Sequence, residues 1–170
     1  MNLTIGAVIL AAGEGKRLKL DAPKPLAPCL DKKLVDFPIR ELEKFFSRNK
    51  LAGNKTAVIG HQKELIQNYI SNRYPEVKYA VQVKQLGTAD ALRAYFDSSA
   101  ETTKLDYTLV ICADTPVVSE GELTRMLELL QSGKYDAVAA TFEDPTPKGY
   151  GRIIRGKKGF HIVEEKDATD

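Results

Sequence analysis

The chain has 170 residues, 43% hydrophobic and 28% charged, the proportions of an ordinary globular domain rather than a disordered or collagen-like chain. Its 25 Lys and Arg nearly balance 23 Asp and Glu, leaving a formal charge of +2 without the basic excess of a dedicated nucleic-acid binder. Two cysteines, Cys29 and Cys112, make no disulfide framework and are expected as reduced thiols of a cytoplasmic protein. The apolar stretch Ala7–Ala12 is far short of the roughly 18 residues a membrane helix needs, and no basic region precedes it, so neither a membrane segment nor a signal peptide is expected.

Apolar strands and amphipathic helices alternate along the chain. Leu3–Leu10 reads as a buried strand. Phe37–Leu51 places Phe37, Ile39, Leu42, Phe45 and Phe46 at helical spacing, with Pro38 suited to a first turn. Lys55–Gly60 is a short strand around Ala57, Val58 and Ile59, and Gln62–Arg73 is a helix with Leu65, Ile66, Tyr69 and Ile70 on one face. Val77–Val83 alternates as a strand does, Thr88–Asp97 is helical, and Tyr107–Ala113 is another buried strand. Ser119 with Glu122 three residues later makes a capping box for a helix running to about Gln131. Ala137–Thr141 is expected as a strand, and Arg152–Ile154 with Phe160–Val163 as a hairpin around Gly156–Gly159. The alternation predicts one α/β layered domain with a mostly parallel sheet and no internal boundary.

Ligands of such sheets gather beyond the carboxyl ends of the strands, which singles out Ala11–Lys24, Gln82–Thr88, Cys112–Thr115 and Gly149–Arg152. In Leu10-Ala11-Ala12-Gly13-Glu14-Gly15-Lys16-Arg17-Leu18, small residues admit a nucleotide close to the backbone, and Lys16, Arg17 and Lys24 lie within reach of an anion. It is no Walker A loop, because no Ser or Thr follows the Lys at the required spacing, and no dinucleotide fingerprint, because Leu18 stands where the third Gly belongs. The same residues read equally well as a flexible turn with solvated charges. Gln82 followed by Gly87-Thr88 offers amide donors and acceptors to the edge of a pyrimidine and a glycine on which a flat ring can lie, or merely a turn and a helix cap.

Asp114, after the apolar run Leu109–Ala113, is expected at the open strand end with a cation; it suits a hard metal such as Mg²⁺, with a capping Asp before Pro116 as the less favoured reading. Gly149-Tyr150-Gly151-Arg152 permits close ligand approach or is a tight turn. Val163-Glu164-Glu165-Lys166-Asp167 is a solvated charge run unless the function uses it. His61 and His161 lack zinc spacing, and no Gly-x-Ser-x-Gly elbow is present. Cys112, inside a buried strand pattern, is expected to pack rather than to react.

Taken in order, these blocks resemble the sugar-nucleotide pyrophosphorylases, and among them the uridylyltransferase domain of bacterial N-acetylglucosamine-1-phosphate uridylyltransferase. The resemblance runs from Val8 to Asp170. It rests on the Leu-Ala-Ala-Gly-x-Gly-x-Arg opening with Pro23-Lys24-Pro25-Leu26, on Gln82 with Gln85-Leu86-Gly87-Thr88, on Gly149-Tyr150-Gly151-Arg152-Ile153, and on Val163-Glu164-x-Lys166-Asp167-Ala168-Thr169. It implies a three-layer, Rossmann-like nucleotidyltransferase fold with a mixed, mostly parallel sheet over residues 1–170. Leu10, Ala11, Ala12 and Gly13 would lie along the nucleotide, Arg17 and Lys24 would face its phosphates, Gln82 and Gly87 would read uracil beside Thr88, Asp114 would hold Mg²⁺, and Gly151 and Glu164 would bind the amino-sugar. The implied partners are UTP and an amino-sugar 1-phosphate, without nucleic acid or membrane, and the implied product is UDP-N-acetylglucosamine, a peptidoglycan precursor.

Three departures stand out. Lys16 replaces a frequent Thr, Cys112-Ala113 replaces Tyr-Gly, and the family's domain continues with an Asn on the sugar and a second metal-binding Asn that this chain does not carry. The β-helix acetyltransferase domain of the bifunctional enzymes is also expected to be absent, and with it a strong oligomer. Weak turnover by the 170 residues alone is therefore expected. A thymidylyl-, guanylyl- or cytidylyltransferase, or a non-catalytic nucleotide-binding module, are the competing expectations.

Overall fold

A computed structural model of the chain describes residues 3–13, 15, 22–99, 102, 104–156 and 159–168. The elements follow as β1 (Thr4–Ala11), a ribbon of β2 (Pro28–Cys29) and β3 (Lys32–Lys33), α1 (Asp36–Arg48), β4 (Ala52–Ile59), α2 (Lys63–Arg73) and β5 (Lys78–Val81). After these come α3 (Thr88–Asp97), β6 (Tyr107–Cys112), α4 (Glu120–Gln131) and the hairpin β7 (Arg152–Gly156) and β8 (Gly159–Val163).

Four strands form one sheet in the order β5-β4-β1-β6, and every neighbouring pair is parallel. Among the described residues, antiparallel pairing is confined to the β2–β3 ribbon and the β7–β8 hairpin. The register aligns Ala11 with Ile59, Ile59 with Val81, and Leu10 with Cys112, so the carboxyl ends of all four strands meet at one edge.

Both faces of β1 are buried, as a central parallel strand requires. Alternation at a period of two sends Ile5, Ala7, Ile9 and Ala11 to one face, where they join Ile39, Leu42 and Phe45 of α1, Ile66 and Ile70 of α2, and Leu123 and Leu127 of α4. Val8 and Ala12 point to the other face with Val58, Ala80, and Ala91 and Tyr95 of α3. The result is three layers, with α1, α2 and α4 on one side of the sheet and α3 on the other. Gly6 makes the second face possible, because a Cβ there would lie 2.1 Å from the Tyr95 hydroxyl and 2.5 Å from Leu105 Cδ1.

Polar groups fix the helix termini. Ser119 Oγ accepts from the Glu122 amide (3.3 Å) while Glu122 Oε2 accepts from the Ser119 amide (2.9 Å), the reciprocal cap the spacing predicts. At the start of α1 the buried Asp36 carboxylate accepts from the Lys33 amide (2.8 Å) and from the hydroxyls of Tyr69 (2.7 Å) and Tyr74 (2.9 Å), tying the β2–β3 ribbon to α2. Burial and the Asp36 charge push the Tyr69 phenol up to about 12 and raise that of Tyr74 as well.

Most of the predicted elements are present with shifted ends. β4 begins at Ala52 rather than Lys55 because Thr4 of β1 supplies a pairing partner there, which no apolar pattern in Gly53-Asn54 announces. α1 stops at Arg48 rather than Leu51, where the Asn49 side chain caps the Phe45 carbonyl and Lys50 turns to φ +50°. The strand expected at Ala137–Thr141 does not form. Those residues are exposed or half-buried and pair with no strand among the described residues, and an extended segment without a ladder partner leaves its amides to water. Among the described residues no helix is long and apolar enough to cross a membrane.

Candidate functional site

A cleft of about 630 Å³ opens at the carboxyl edge of the sheet. Its lining joins the ends of β1, β5 and β6 to the start of α3: Leu10, Ala11, Ala12, Gly13, Gly15, Lys24, Pro25, Gln82, Gln85, Gly87, Thr88, Ala91, Cys112, Ala113 and Asp114. The floor is rigid. Ala11 and Ala12 are buried, the His61 amide donates to the Ala12 carbonyl (3.3 Å), and the Ala113 amide donates to the Leu10 carbonyl (3.0 Å). Gly60 lets the segment after β5 cross the end of β4. A Cβ there would stand 2.7 Å from Gln85 Nε2 and 3.0 Å from both Ala12 Cβ and the Gln82 carbonyl oxygen.

One end of the cleft is built around Gln82, which is 4% exposed. Its backbone amide donates to the Ile59 carbonyl (2.8 Å) and continues the strand direction. Its side-chain Nε2 donates to the Gly87 carbonyl (3.1 Å) and to Asp90 Oδ2 (2.8 Å). Both N–H donors are thereby committed to protein acceptors, and among the described residues no donor is paired with Oε1, the amide atom left for a ligand. Gly87 precedes α3 at φ +110°, a conformation that favours glycine, with open space where a Cβ would point.

The other end is ionic. A 3₁₀ turn, Lys24–Leu26, is held by the Val35 amide on the Pro25 carbonyl (2.9 Å) and the Leu34 amide on the Ala27 carbonyl (3.0 Å). It delivers the Lys24 ammonium onto Asp114 Oδ2 from 90 residues away in sequence. Asp114 therefore has the cation that its position at an open strand end required, and that cation is Lys24. Among the described residues no three His, Cys, Asp or Glu side chains come together to hold a metal, and Asp114 is the one carboxylate among the described cleft-lining residues. That fits Mg²⁺, which usually keeps water and takes phosphate oxygens beside one or two carboxylates.

Cys112 corrects the expectation of a buried packing residue. It is the last residue of β6, it is exposed, and it faces the cleft. Desolvation by surrounding atoms, then the Asp114 charge, raise the thiol pKa, partly offset by Lys24, so the neutral thiol is favoured.

Of the residues singled out by sequence, Leu10, Ala11, Ala12, Gly13, Lys24, Gln82, Gly87, Thr88 and Asp114 converge on this one cleft. Arg17, like Lys16 and Thr169, lies outside the described residues. Gly151 and Glu164 are not brought to the cleft. They flank the β7–β8 hairpin, both exposed, where among the described residues the strands pair only with each other. Gly151 has a packing reason to be glycine, since a Cβ would come within 2.9 Å of Ile162 Cγ2. The loop before the hairpin is closed by the Gly149 amide on Glu165 Oε1 (2.7 Å) and by the Arg152 guanidinium on the Pro147 carbonyl (2.8 Å).

Sequence reasoning passed over Gly60, Gln85 and Asp90 as site residues. Gln85 and Asp90 stand in the same segment as Gln82, at the turn and at the third position of α3. A glutamine and an acid flanking Gly87-Thr88 were a readable signal, whereas Gly60 shows its purpose only once β5 is placed beside β4.

Known proteins agree with this geometry. The chain is 34% identical over 168 residues to the bifunctional protein GlmU of Geotalea uraniireducens, covering 98% of this chain and 35% of that protein. It is 35% identical over 164 residues to the bifunctional protein GlmU of Burkholderia multivorans, covering 95% and 34%. The chain thus spans about a third of the length of the curated relatives it matches. Among solved structures, a Bacillus anthracis protein assigned as a glucose-1-phosphate thymidylyltransferase, in complex with sucrose, superposes with a TM-score of 0.70 at 19% identity, over 95% of this chain and 64% of that one. HddC from Yersinia pseudotuberculosis superposes at 0.62 with 16% identity, over 94% and 73%. At these identities the superpositions bear on the fold alone. The nucleotidyl transferase family matches residues 6–166, and with the cleft at the carboxyl edge of a parallel sheet this chain belongs to that family.

Proposed function

We propose that the chain, as one nucleotidyltransferase domain, transfers UMP from UTP to N-acetylglucosamine 1-phosphate, with Mg²⁺, in the cytoplasm. The observation that carries this reading is the pairing of two unlike ends in one cleft: a buried glutamine presenting an amide oxygen, and the Lys24–Asp114 ion pair.

The imide edge of uracil has an N–H between two carbonyls. Gln82 Oε1 is an acceptor for that N–H, and the Gly87 amide, which has no protein acceptor among the described residues, is a donor for a neighbouring carbonyl. Ala11, Ala12 and Gly13 leave room for the nucleotide against the backbone. Lys24, at the ionic end of the cleft, is proposed with Arg17 to neutralise phosphate charge, and Asp114 would hold Mg²⁺. When bound, the metal supplies positive charge to the triphosphate. An oxygen of the sugar 1-phosphate displaces pyrophosphate from the α-phosphorus, so one P–O bond forms as another breaks and no protein nucleophile is needed. Gly151 and Glu164 are the residues proposed for the amino-sugar. The acceptor is proposed from the sequence resemblance, and relatives named bifunctional protein GlmU match 95–98% of this chain.

Thymine carries the same imide edge, so thymidylyl transfer is the second reading, favoured by the same Oε1. The deciding experiment incubates the chain with Mg²⁺, each of the nucleoside triphosphates and N-acetylglucosamine 1-phosphate or glucose 1-phosphate, and follows pyrophosphate release and the product mass. UDP-N-acetylglucosamine as the dominant product supports the proposal, and a dTDP-sugar replaces it with the second reading. No product with any pair, together with no UTP binding, refutes both.

A further inference from the structure

Asp90 does not line the cleft itself, but it accepts from the Gln82 side chain that does. An isolated glutamine amide can turn over and offer either its oxygen or its NH₂ group. Here the two groups around Nε2, the Gly87 carbonyl and the Asp90 carboxylate, are both acceptors, which permits one orientation only. They are unequal. The Gly87 carbonyl is shared, since it also accepts from the Ala91 amide (3.1 Å) in the first turn of α3. Asp90 is the shorter contact at 2.8 Å, and a carboxylate accepts about twice as strongly as a neutral group. Asp90 is in the first turn of α3, where the helix dipole favours an acid, and its contact to Gln82 links the rigid helix to the base-facing side chain.

We infer that Asp90 is a positioning residue that sets base specificity, locking Gln82 with Oε1 toward the ligand so that the cleft accepts a nucleotide with an imide edge and rejects one with a ring-nitrogen acceptor there. This rests on the pyrimidine reading of Gln82 above. Cytosine makes the contrast. At the position of the uracil N–H it has a bare ring nitrogen, which opposes Oε1 lone pair to lone pair. With Asp90 gone, only the shared Gly87 carbonyl opposes turning, and the amide meets cytosine with its NH₂ group at much lower cost.

The test is calorimetric titration of the chain with UTP and with CTP, in Mg²⁺, for the parent, Asp90→Ala and Asp90→Asn. The parent binds UTP more tightly than CTP. Asp90→Ala lowers that ratio of Kd values about tenfold, the worth of one oriented hydrogen bond, and Asp90→Asn restores it only in part, because its amide offers Gln82 either an oxygen or an NH₂ group. Asp90→Leu, of similar shape and without an acceptor, serves in place of Asp90→Ala if melting shows that variant unfolded. A parent that binds UTP and CTP alike overturns the pyrimidine reading itself. A parent that discriminates beside an Asp90→Ala chain that discriminates equally, or that loses both ligands in proportion, overturns only the role of Asp90.

Discussion

Replacing Asp114 by Ala separates two roles that the Lys24–Asp114 pair could play. As a structural link it is weak. The side chains are 38% and 32% exposed, so water screens their attraction, and such pairs contribute about 0–1 kcal/mol. For a domain of this size, 1 kcal/mol is a shift of about 2–4 °C in Tm. As part of the site it is worth far more. The carboxylate is the only acid among the described lining residues, and none of Cys112, Ala113, Thr115 or Pro116 can substitute for its charge. Removing a single group that stabilises charge developing in a transition state costs about 10²–10³ in rate. Asp114→Ala is therefore expected to melt within about 4 °C of the parent and to lose pyrophosphate release by at least about a hundredfold. Paired thermal melts and a coupled pyrophosphate assay measure both, at saturating UTP and sugar phosphate. Activity within a few-fold of the parent would refute the catalytic assignment. A collapse in Tm with proportionate loss of activity would show the pair to be structural.

Two further outcomes follow from packing and from titration. Gly60→Ala forces a methyl to within 3.0 Å of Ala12 Cβ and the Gln82 carbonyl, and is expected to cost about 1–3 kcal/mol in urea unfolding and to weaken UTP binding; an unchanged midpoint and Kd would contradict the close crossing. Tyr69 and Tyr74 have phenols raised above the ordinary value of about 10, so their contribution to stability is complete below that pH and is lost as pH rises through about 12; unfolding midpoints followed from pH 9 to 12 should fall for the parent and fall less for Tyr69→Phe, and parallel profiles would refute the linkage.

Much of the fold was legible because both signals it depends on are local. The β1 run Ile5–Ala11 is apolar on both parities, the mark of a strand covered on both faces, and Ser119 with Glu122 announces α4 without reference to anything distant. What was not legible depends on partners. Ala137–Thr141 has strand composition, but composition cannot supply a neighbour for its backbone, and Ala52–Asn54 lacks strand composition yet forms β4 because Thr4–Gly6 lies beside it. Cys112 shows the same limit at the level of a side chain. Its strand is apolar, but the last position of β6 opens onto the cleft. For the site, the strand-end rule gathered Gly13, Lys24, Gln82 and Asp114 before their geometry was known. It could not show that Lys24 reaches Asp114, or that Asp90 takes one of the Gln82 donors, because each pairing depends on how separate segments come together.

The two halves of the proposed reaction are held by different physical means. The nucleotide half rests on the core itself: Ala12 and Gln82 are buried, their amide or carbonyl groups are bonded into the sheet edge, and moving them requires moving β1 and β5. The acceptor half rests on a hairpin whose strands pair with each other and whose apolar side chains Ile154, Phe160 and Ile162 are exposed. On the proposed reading, placement on the sheet makes base selection insensitive to what happens at the hairpin, since the base would be read within the Gln82–Asp90 segment. Turnover has no such insulation, because aligning a second anion for in-line attack can be worth roughly 7–11 kcal/mol and is lost when either partner is loosely held. Changes in β7 or β8 should thus act on the rate of transfer while leaving the order of nucleotide affinities unchanged, whereas changes around Gln82 should alter that order first.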